Sequence, residues 1–171
     1  MRVPLLLLFT LMLNLNLVAQ DTNSETSEVT TFYLIRHAEK DRSDAANKDP
    51  NLTNDGSIRA EKWAKILKNV KFDGIYSTNY NRTKQTASPL AVQNDLKISL
   101  YEPGHMNSEV FMRISKGKNI LIVGHSNTTP QTANKLLGED RFSQIDDSNN
   151  GNLYIITIID GKTSAQLLTI N

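Results

Sequence analysis

Two runs stand out in the hydrophobic pattern of the chain: VTTFYLIRHA, Val29–Ala38, and NILIVGH, Asn119–His125. Both are apolar at consecutive positions, not alternate ones, and rich in β-branched residues. That pattern predicts strands buried on both faces. Each run stops abruptly at a cationic or titratable side chain, Arg36-His37 in the first and His125 in the second.

Between and after them the period changes. Glu39–Asn51 is polar and turn-forming and reads as a surface loop. In Leu52–Val70, Ala60, Trp63, Ala64 and Leu67 fall at i, i+3, i+4 and i+7, one face of a helix that Thr53 or Asn54 can cap. FDGIYST, Phe72–Thr78, is a short strand. Asn79–Asn94 is helical, with Pro89 expected to force a kink or a restart. Leu96–Pro103 is a further extended piece, and Asn107–Gly117 is a short helix ending at Gly117. Thr129–Gly138 is a helix with Thr129 placed to cap it, Pro130 at its first position and Gly138 at its end. After a polar loop, Leu153–Ile159 and Ser164–Ile170 flank Asp160-Gly161, the signature of a tight hairpin. Strands alternate with helices up to that hairpin. The expected architecture is a three-layer α/β sandwich with a mainly parallel sheet, helices on both faces and a C-terminal antiparallel hairpin.

The first nineteen residues do not fit this scheme. They carry one cation, Arg2, then a Leu-rich run and Leu17-Val18-Ala19. This is the layout of a secretory signal peptide, with cleavage expected after Ala19. The competing reading is a retained membrane anchor, but the run is short for a span and Asn14 and Asn16 interrupt it. The expected organisation is a signal peptide at 1–19, a polar disordered lead-in at 20–30 and one domain at 31–171. Localisation would then be periplasmic or extracellular, with no membrane partner after cleavage. The whole chain has 19 Lys and Arg against 18 Asp and Glu. Loss of Arg2 balances the charge, which gives no footprint for a nucleic-acid partner. The chain has no cysteine, so disulfides, thiolate metal sites and a cysteine nucleophile are excluded.

Parallel α/β sheets bind ligands beyond the carboxyl ends of their strands. Two of the chain's three histidines, His37 and His125, sit at such ends. Arg82 lies just after the GIYST strand, on the first turn of the next helix. A helix N-terminus attracts anions, and an Arg there adds a planar fork suited to phosphate oxygens. Arg36, His37, Arg82 and His125 therefore point together to a dianion.

Three blocks carry a family resemblance. Arg36-His37-Ala38, STNYNRTKQTA from Ser77 to Ala87, and VGHSNTTP from Val123 to Pro130 resemble the histidine phosphatase superfamily, the phosphoglycerate mutase-like fold. The family's second block reads Ser-Pro-x-x-Arg-Ala-x-Gln-Thr-Ala. Ser77, Arg82, Gln85, Thr86 and Ala87 match it, with Thr78 and Asn79 in the usual Pro region and Thr83 for Ala. LTNDG, Leu52–Gly56, is similar to the family's Leu-Thr-x-x-Gly helix start, and Ala38 replaces the commoner Gly. The short chain resembles the compact SixA-type members.

The resemblance implies a phosphatase that needs no metal or other cofactor, and the signal-peptide pattern makes it an exported one. His37 would be the nucleophile, and Arg36, Arg82 and His125 would hold the phosphoryl oxygens. A carboxylate between the second and third blocks would protonate the leaving group. Glu102 is preferred over Glu109 because it directly follows a strand, and His105 reads as a surface or rim residue. The expected partner is a small phosphorylated substrate or a phosphoprotein. Two alternatives are a non-catalytic phospho-ligand-binding protein on the same fold and a phosphoglycerate mutase-type phosphotransferase. A serine hydrolase reading of Gly124-His125-Ser126-Asn127-Thr128 fails, because the last position is not Gly and no histidine follows the serine.

Overall fold

The structure, a computed structural model, describes residues 28–170. The signal-peptide and cleavage assignments, and most of the lead-in, lie outside the described residues. Six strands form one sheet: β1 (Val29–Arg36), β2 (Gly74–Ser77), β3 (Ile98–Leu100), β4 (Asn119–Gly124), β5 (Asn152–Ile159) and β6 (Lys162–Thr169). Their order across the sheet is β3-β2-β4-β1-β5-β6. The first four run parallel, and β5 and β6 add antiparallel at one side. Val29 and Thr30 are not part of a lead-in: they pair with Ile159 and Ile158 and belong to β1.

The consecutive apolar runs are explained by two cores. From β1, Phe32 and Leu34 join Phe111, Ala133 and Leu136 on one face of the sheet. Ile35 joins Trp63, Ala64, Ala87 and Leu90 on the other. The helices that supply these residues are α1 (Asn54–Ile66) and α2 (Asn81–Gln93) on one side, α3 (Glu109–Ile114) and α4 (Thr128–Leu137) on the other. The three-layer sandwich is therefore as expected. The hairpin turns at Asp160 (φ 49°) and Gly161 (φ 76°), the left-handed pair that a two-residue turn between twisted strands requires.

Two local expectations are corrected. Helix α2 continues through Pro89 without a restart. An interior proline costs roughly 3 kcal/mol, but Leu90 beside it is fully buried and contributes about 1.5–3 kcal/mol. Buried Ala87 and Ala91 add to that. In α4 the cap is not Thr129. The helix starts at Thr128, so Pro130 is its third residue. The Thr128 hydroxyl accepts from the His125 N–H at 3.1 Å, and the Thr129 hydroxyl donates to the Ile35 carbonyl at 3.4 Å. Thr128 is used by the turn that follows β4 and Thr129 by the neighbouring strand β1, neither by a cap.

The LTNDG motif has a clear physical role. Thr53 caps α1, its hydroxyl accepting from Gly56 N–H at 3.0 Å. The Glu39 carbonyl accepts the Thr53 N–H at 2.9 Å. A Cβ on Gly56 would stand 2.1 Å from that same carbonyl oxygen, so only glycine lets the chain after His37 lie against the first turn of α1. Beyond this contact Lys40 bridges Leu52, and Asp41 N–H donates to the Asn51 carbonyl at 2.9 Å. The loop from Asp41 to Asn51 is thus closed at its neck.

Candidate active site

The chain leaves β1 toward the face carrying α1, and leaves β4 toward the face carrying α4. These two strands are neighbours, with Arg36 opposite Gly124. A crevice opens where adjacent parallel strands send their helices to opposite faces. His37 and His125 are the next residues on the two strands, and their rings lie 5.5 Å apart between centroids. On the far side of β4, Ser77 pairs with Val123, which brings Thr78 and the start of α2 to the same crevice.

The cavity there has a volume of about 580 Å³. Arg36, His37, Arg82, His125 and Glu102 all line it, so the structure brings every preferred site residue together. Glu109 and His105 are exposed and do not line it. Lys40, Tyr80, Asn127 and Asp147 line it too, and no sequence pattern singles them out.

His37 is 4% exposed, and its backbone is fixed from three sides. Its N–H donates to the Gly124 carbonyl at 2.9 Å, its carbonyl accepts from Asn150 Nδ2 at 2.8 Å, and the next N–H, of Ala38, donates to Thr86 Oγ1 at 2.9 Å. The Thr86 hydroxyl in turn donates to the Arg82 carbonyl at 2.7 Å. The Gln-Thr-Ala end of the second block thus divides its work. Gln85 accepts from the Leu52 N–H at 2.8 Å, Thr86 ties α2 to the His37 segment, and Ala87 fills the core.

The His37 ring is oriented by its own neighbour. Nδ1 lies 2.7 Å from the Ala38 carbonyl oxygen. A carbonyl only accepts, so Nδ1 carries the proton and the neutral ring leaves its lone pair on Nε2. Burial, with help from the positive charges of Arg36 and Arg82, lowers the pKa of His37 to about 3. Burial and then Arg82 and Arg36 lower that of His125 to about 4. Nε2 of His125 is 3.0 Å from Thr78 Oγ1, which is itself 3.0 Å from the buried Thr83 hydroxyl.

That contact corrects the alignment of the second block. The family's Ser precedes its Arg by four positions, and counting back from Arg82 reaches Thr78, not Ser77. Ser77 is buried and donates to the Thr78 carbonyl, whereas Thr78 presents its hydroxyl to His125.

Arg36 is 2% exposed and is engaged more heavily than a free anion clamp would be. Its Nη1 lies 2.9, 3.0 and 2.9 Å from the carbonyls of Asp146, Asp147 and Asn149. Its Nη2 meets the Asp147 carboxylate at 2.6 Å, while Nε is buried with no protein partner among the described residues. Arg82 stacks over the Tyr80 ring at 4.3 Å and lies 3.7 Å from Asp49, and its Nε is also buried and unpartnered among the described residues. Two buried guanidinium Nε–H groups thus lack a protein partner among the described residues. Asp49 serves α2 as well. Its carboxylate accepts from the Asn81 N–H at 2.7 Å and so caps a helix that lacks a cap of its own.

The low pKa values carry a stability consequence. Both histidines bind protons near pH 6.5 when unfolded and well below that when folded. Between about pH 4 and 6.5 the unfolded chain holds more protons, so stability falls as pH drops through that window. Urea midpoints measured without phosphate should be lower at pH 5 than at pH 7, with a smaller difference in His37→Asn. Equal wild-type midpoints would contradict the buried neutral rings.

The crevice gathers two histidines and two arginines at the carboxyl ends of parallel strands of an α/β fold, and comparison with known structures recovers that fold. The fold matches a phosphoserine phosphatase of Entamoeba histolytica, solved as a point mutant with phosphoserine bound, at TM-score 0.61 and 18% identity, covering 80% of this chain and 95% of that one. It matches the SixA protein of Agrobacterium tumefaciens at TM-score 0.61 and 18% identity, covering 83% and 99%. It matches the alpha-ribazole phosphatase of Shigella flexneri at TM-score 0.61 and 15% identity, covering 82% and 96%. At these identities the likeness is one of fold. A comparison with curated protein sequences gives no match. Residues 32–103 match the family model of the histidine phosphatase superfamily (branch 1). The resemblance read from the sequence blocks is therefore borne out: the chain carries the histidine phosphatase signature through its first two blocks, on the fold that SixA proteins share.

Proposed function

We propose that this chain is an exported, metal-independent phosphatase that hydrolyses phosphomonoesters or phosphorylated protein side chains through a phosphohistidine at His37. The observation that carries the reading is the 2.7 Å contact between His37 Nδ1 and the Ala38 carbonyl, which leaves Nε2 unprotonated for attack. Nε2 bonds to phosphorus, and the bond from phosphorus to the leaving oxygen breaks. The leaving oxygen takes a proton from Glu102 at the cavity rim. Water then attacks phosphorus with Glu102 accepting its proton, the bond from Nε2 to phosphorus breaks with its electron pair returning to the ring, and phosphate is released. Arg36 and Arg82, together with His125, hold the transferring oxygens.

The donor set is cationic or neutral where the phosphoryl group would sit, which suits an anion and repels a metal ion. Phosphatase neighbours on this fold, one of them solved with phosphoserine, support small phosphorylated substrates. Export rests on the signal-peptide pattern of the first nineteen residues.

The test is turnover of p-nitrophenyl phosphate with and without EDTA, and of an alkyl phosphate beside it. Equal rates with EDTA are expected, and loss of turnover on chelation would end the metal-free reading. Glu102→Gln should slow the alkyl phosphate on the order of 100-fold and p-nitrophenyl phosphate, whose leaving group needs no proton, far less. Equal slowing of both, or of neither, would remove Glu102 from the acid role.

A further inference from the structure

The two edges of the sheet are unlike. At one end β3 has three residues, too few to offer a ladder to another strand. At the other end β6 has eight, paired with β5 along its whole length from Ile159 opposite Lys162 to Asn152 opposite Thr169, with no bulge. Every residue of β6 is exposed except Ala165, which is partly covered.

The bonds between β5 and β6 show which backbone groups face outward. Just past the ladder, the Ile170 N–H donates to the Gly151 carbonyl at 2.7 Å. Bonded and non-bonded pairs alternate in an antiparallel ladder, so Leu168, Gln166, Ser164 and Lys162 turn their N–H and C=O groups toward β5. The tight turn at Asp160-Gly161 sets the same alternation from the other end, because it closes on the bonded pair Ile159 and Lys162. Thr163, Ala165, Leu167 and Thr169 therefore turn their backbone groups away from the sheet, with no backbone partner among the described residues.

An exposed edge of this length is normally blunted by a charge, a proline or a bulge. From Thr163 to Thr169 the sequence is TSAQLLT, which has neither charge nor proline, and Lys162 stands back at the turn. Leu167 and Leu168, on opposite faces, are 43% and 44% exposed. The segment ahead of β1 is a poor cover for them, since QDTNSETSE at 20–28 has acidic and polar side chains and no apolar one.

We propose that β6 pairs antiparallel with β6 of a second copy of this chain about a two-fold axis, joining two six-stranded sheets edge to edge. The outward groups dictate the register. Their midpoint is Gln166. Setting Gln166 opposite its own copy places Thr163 opposite the second copy's Thr169 and Ala165 opposite its Leu167, so every outward N–H meets an outward carbonyl. Leu167 then packs on the second copy's Ala165 on one face, and Leu168 lies opposite its Ser164 on the other. A slip along the strand would leave some of these groups unmet.

The absence of cysteine from the chain allows a direct test. In this register Gln166 and its copy form a non-bonded pair with Cα atoms about 4.5 Å apart, within disulfide reach. Gln166→Cys should cross-link to near completion under mild oxidation. Ser164→Cys alone should not, but mixed with Leu168→Cys it should, because those two positions face each other. In sedimentation equilibrium the wild-type protein should show twice the mass of one chain and dissociate on dilution into the micromolar range, since a single-strand interface is at the small end of specific interfaces. Ala165→Pro removes an outward N–H and spares the β5 ladder, so it should be monomeric with an unchanged circular dichroism spectrum. Leu167→Lys, which charges the edge, should be monomeric too. A wild-type monomer at about 100 μM, its edge bare or covered by residues 20–28, would overturn the proposal. So would a dimer that survives both substitutions, or one in which Gln166→Cys fails to cross-link.

Discussion

His37→Ala should abolish turnover, by roughly a thousandfold or more, and leave the fold intact. The ring's hydrogen bond goes to the Ala38 carbonyl beside it. The segment is held by backbone contacts that survive truncation, from Gly124, Asn150 and Thr86. Thermal stability should fall modestly, because the Ala38 carbonyl loses its partner, while the covalent step disappears. Brief incubation of wild type with labelled substrate followed by denaturation should trap an acid-labile phosphate adduct, absent from the variant. Substantial activity in purified His37→Ala would sink the mechanism. Wild type that binds phosphate but turns over no ester would favour the phospho-ligand-binding alternative.

The two arginines should separate binding from architecture. Arg82→Ala removes a guanidinium at the cavity wall whose own ties are a ring stack, a loose ion pair and a 3.5 Å contact to the Lys48 carbonyl. It should cut kcat/KM by on the order of 100-fold with a small change in melting temperature. Arg36→Ala has a larger reach. It strands the carbonyls of Asp146, Asp147 and Asn149, and it leaves the Asp147 carboxylate with Arg42 alone. That carboxylate is 68% exposed, so water recovers part of its loss. The stranded carbonyls set the cost, roughly 3 kcal/mol in total. Activity and stability should fall together in Arg36→Ala and separately in Arg82→Ala. A denaturant series on both variants with phosphate absent checks this. Equal midpoints for the two would refute the structural role of Arg36.

That double role is invisible in the sequence, and the reason is physical. Arg36 and Asp147 are 111 positions apart, and backbone carbonyls look alike in every residue, so no residue pattern announces the loop that Arg36 organises. The strands are legible because both-face burial forces consecutive apolar residues, as in Phe32–Ile35 and Ile120–Val123. The hairpin is legible because its turn needs two left-handed residues. The position of the site follows from strand ends alone. Local propensity misleads where packing decides. Pro89 suggests a break, yet buried neighbours hold the helix through it. Thr129 suggests a cap, yet its hydroxyl is spent on the strand beside it. Lys40 gives no signal because a lysine in a polar loop looks solvated until the fold brings it to the cavity wall.

The closed neck between Glu39–Asp41 and Asn51–Thr53 divides what evolution can alter from what it must keep. Residues on the near side hold the nucleophile, and any change in their spacing would move it. The loop beyond the neck can gain or lose residues between Arg42 and Ala46 while the neck keeps its register, since the Asp49 contact to α2 lies past that stretch. The length of that loop is thus uncoupled from the reactive geometry, which stays on the near side of the neck.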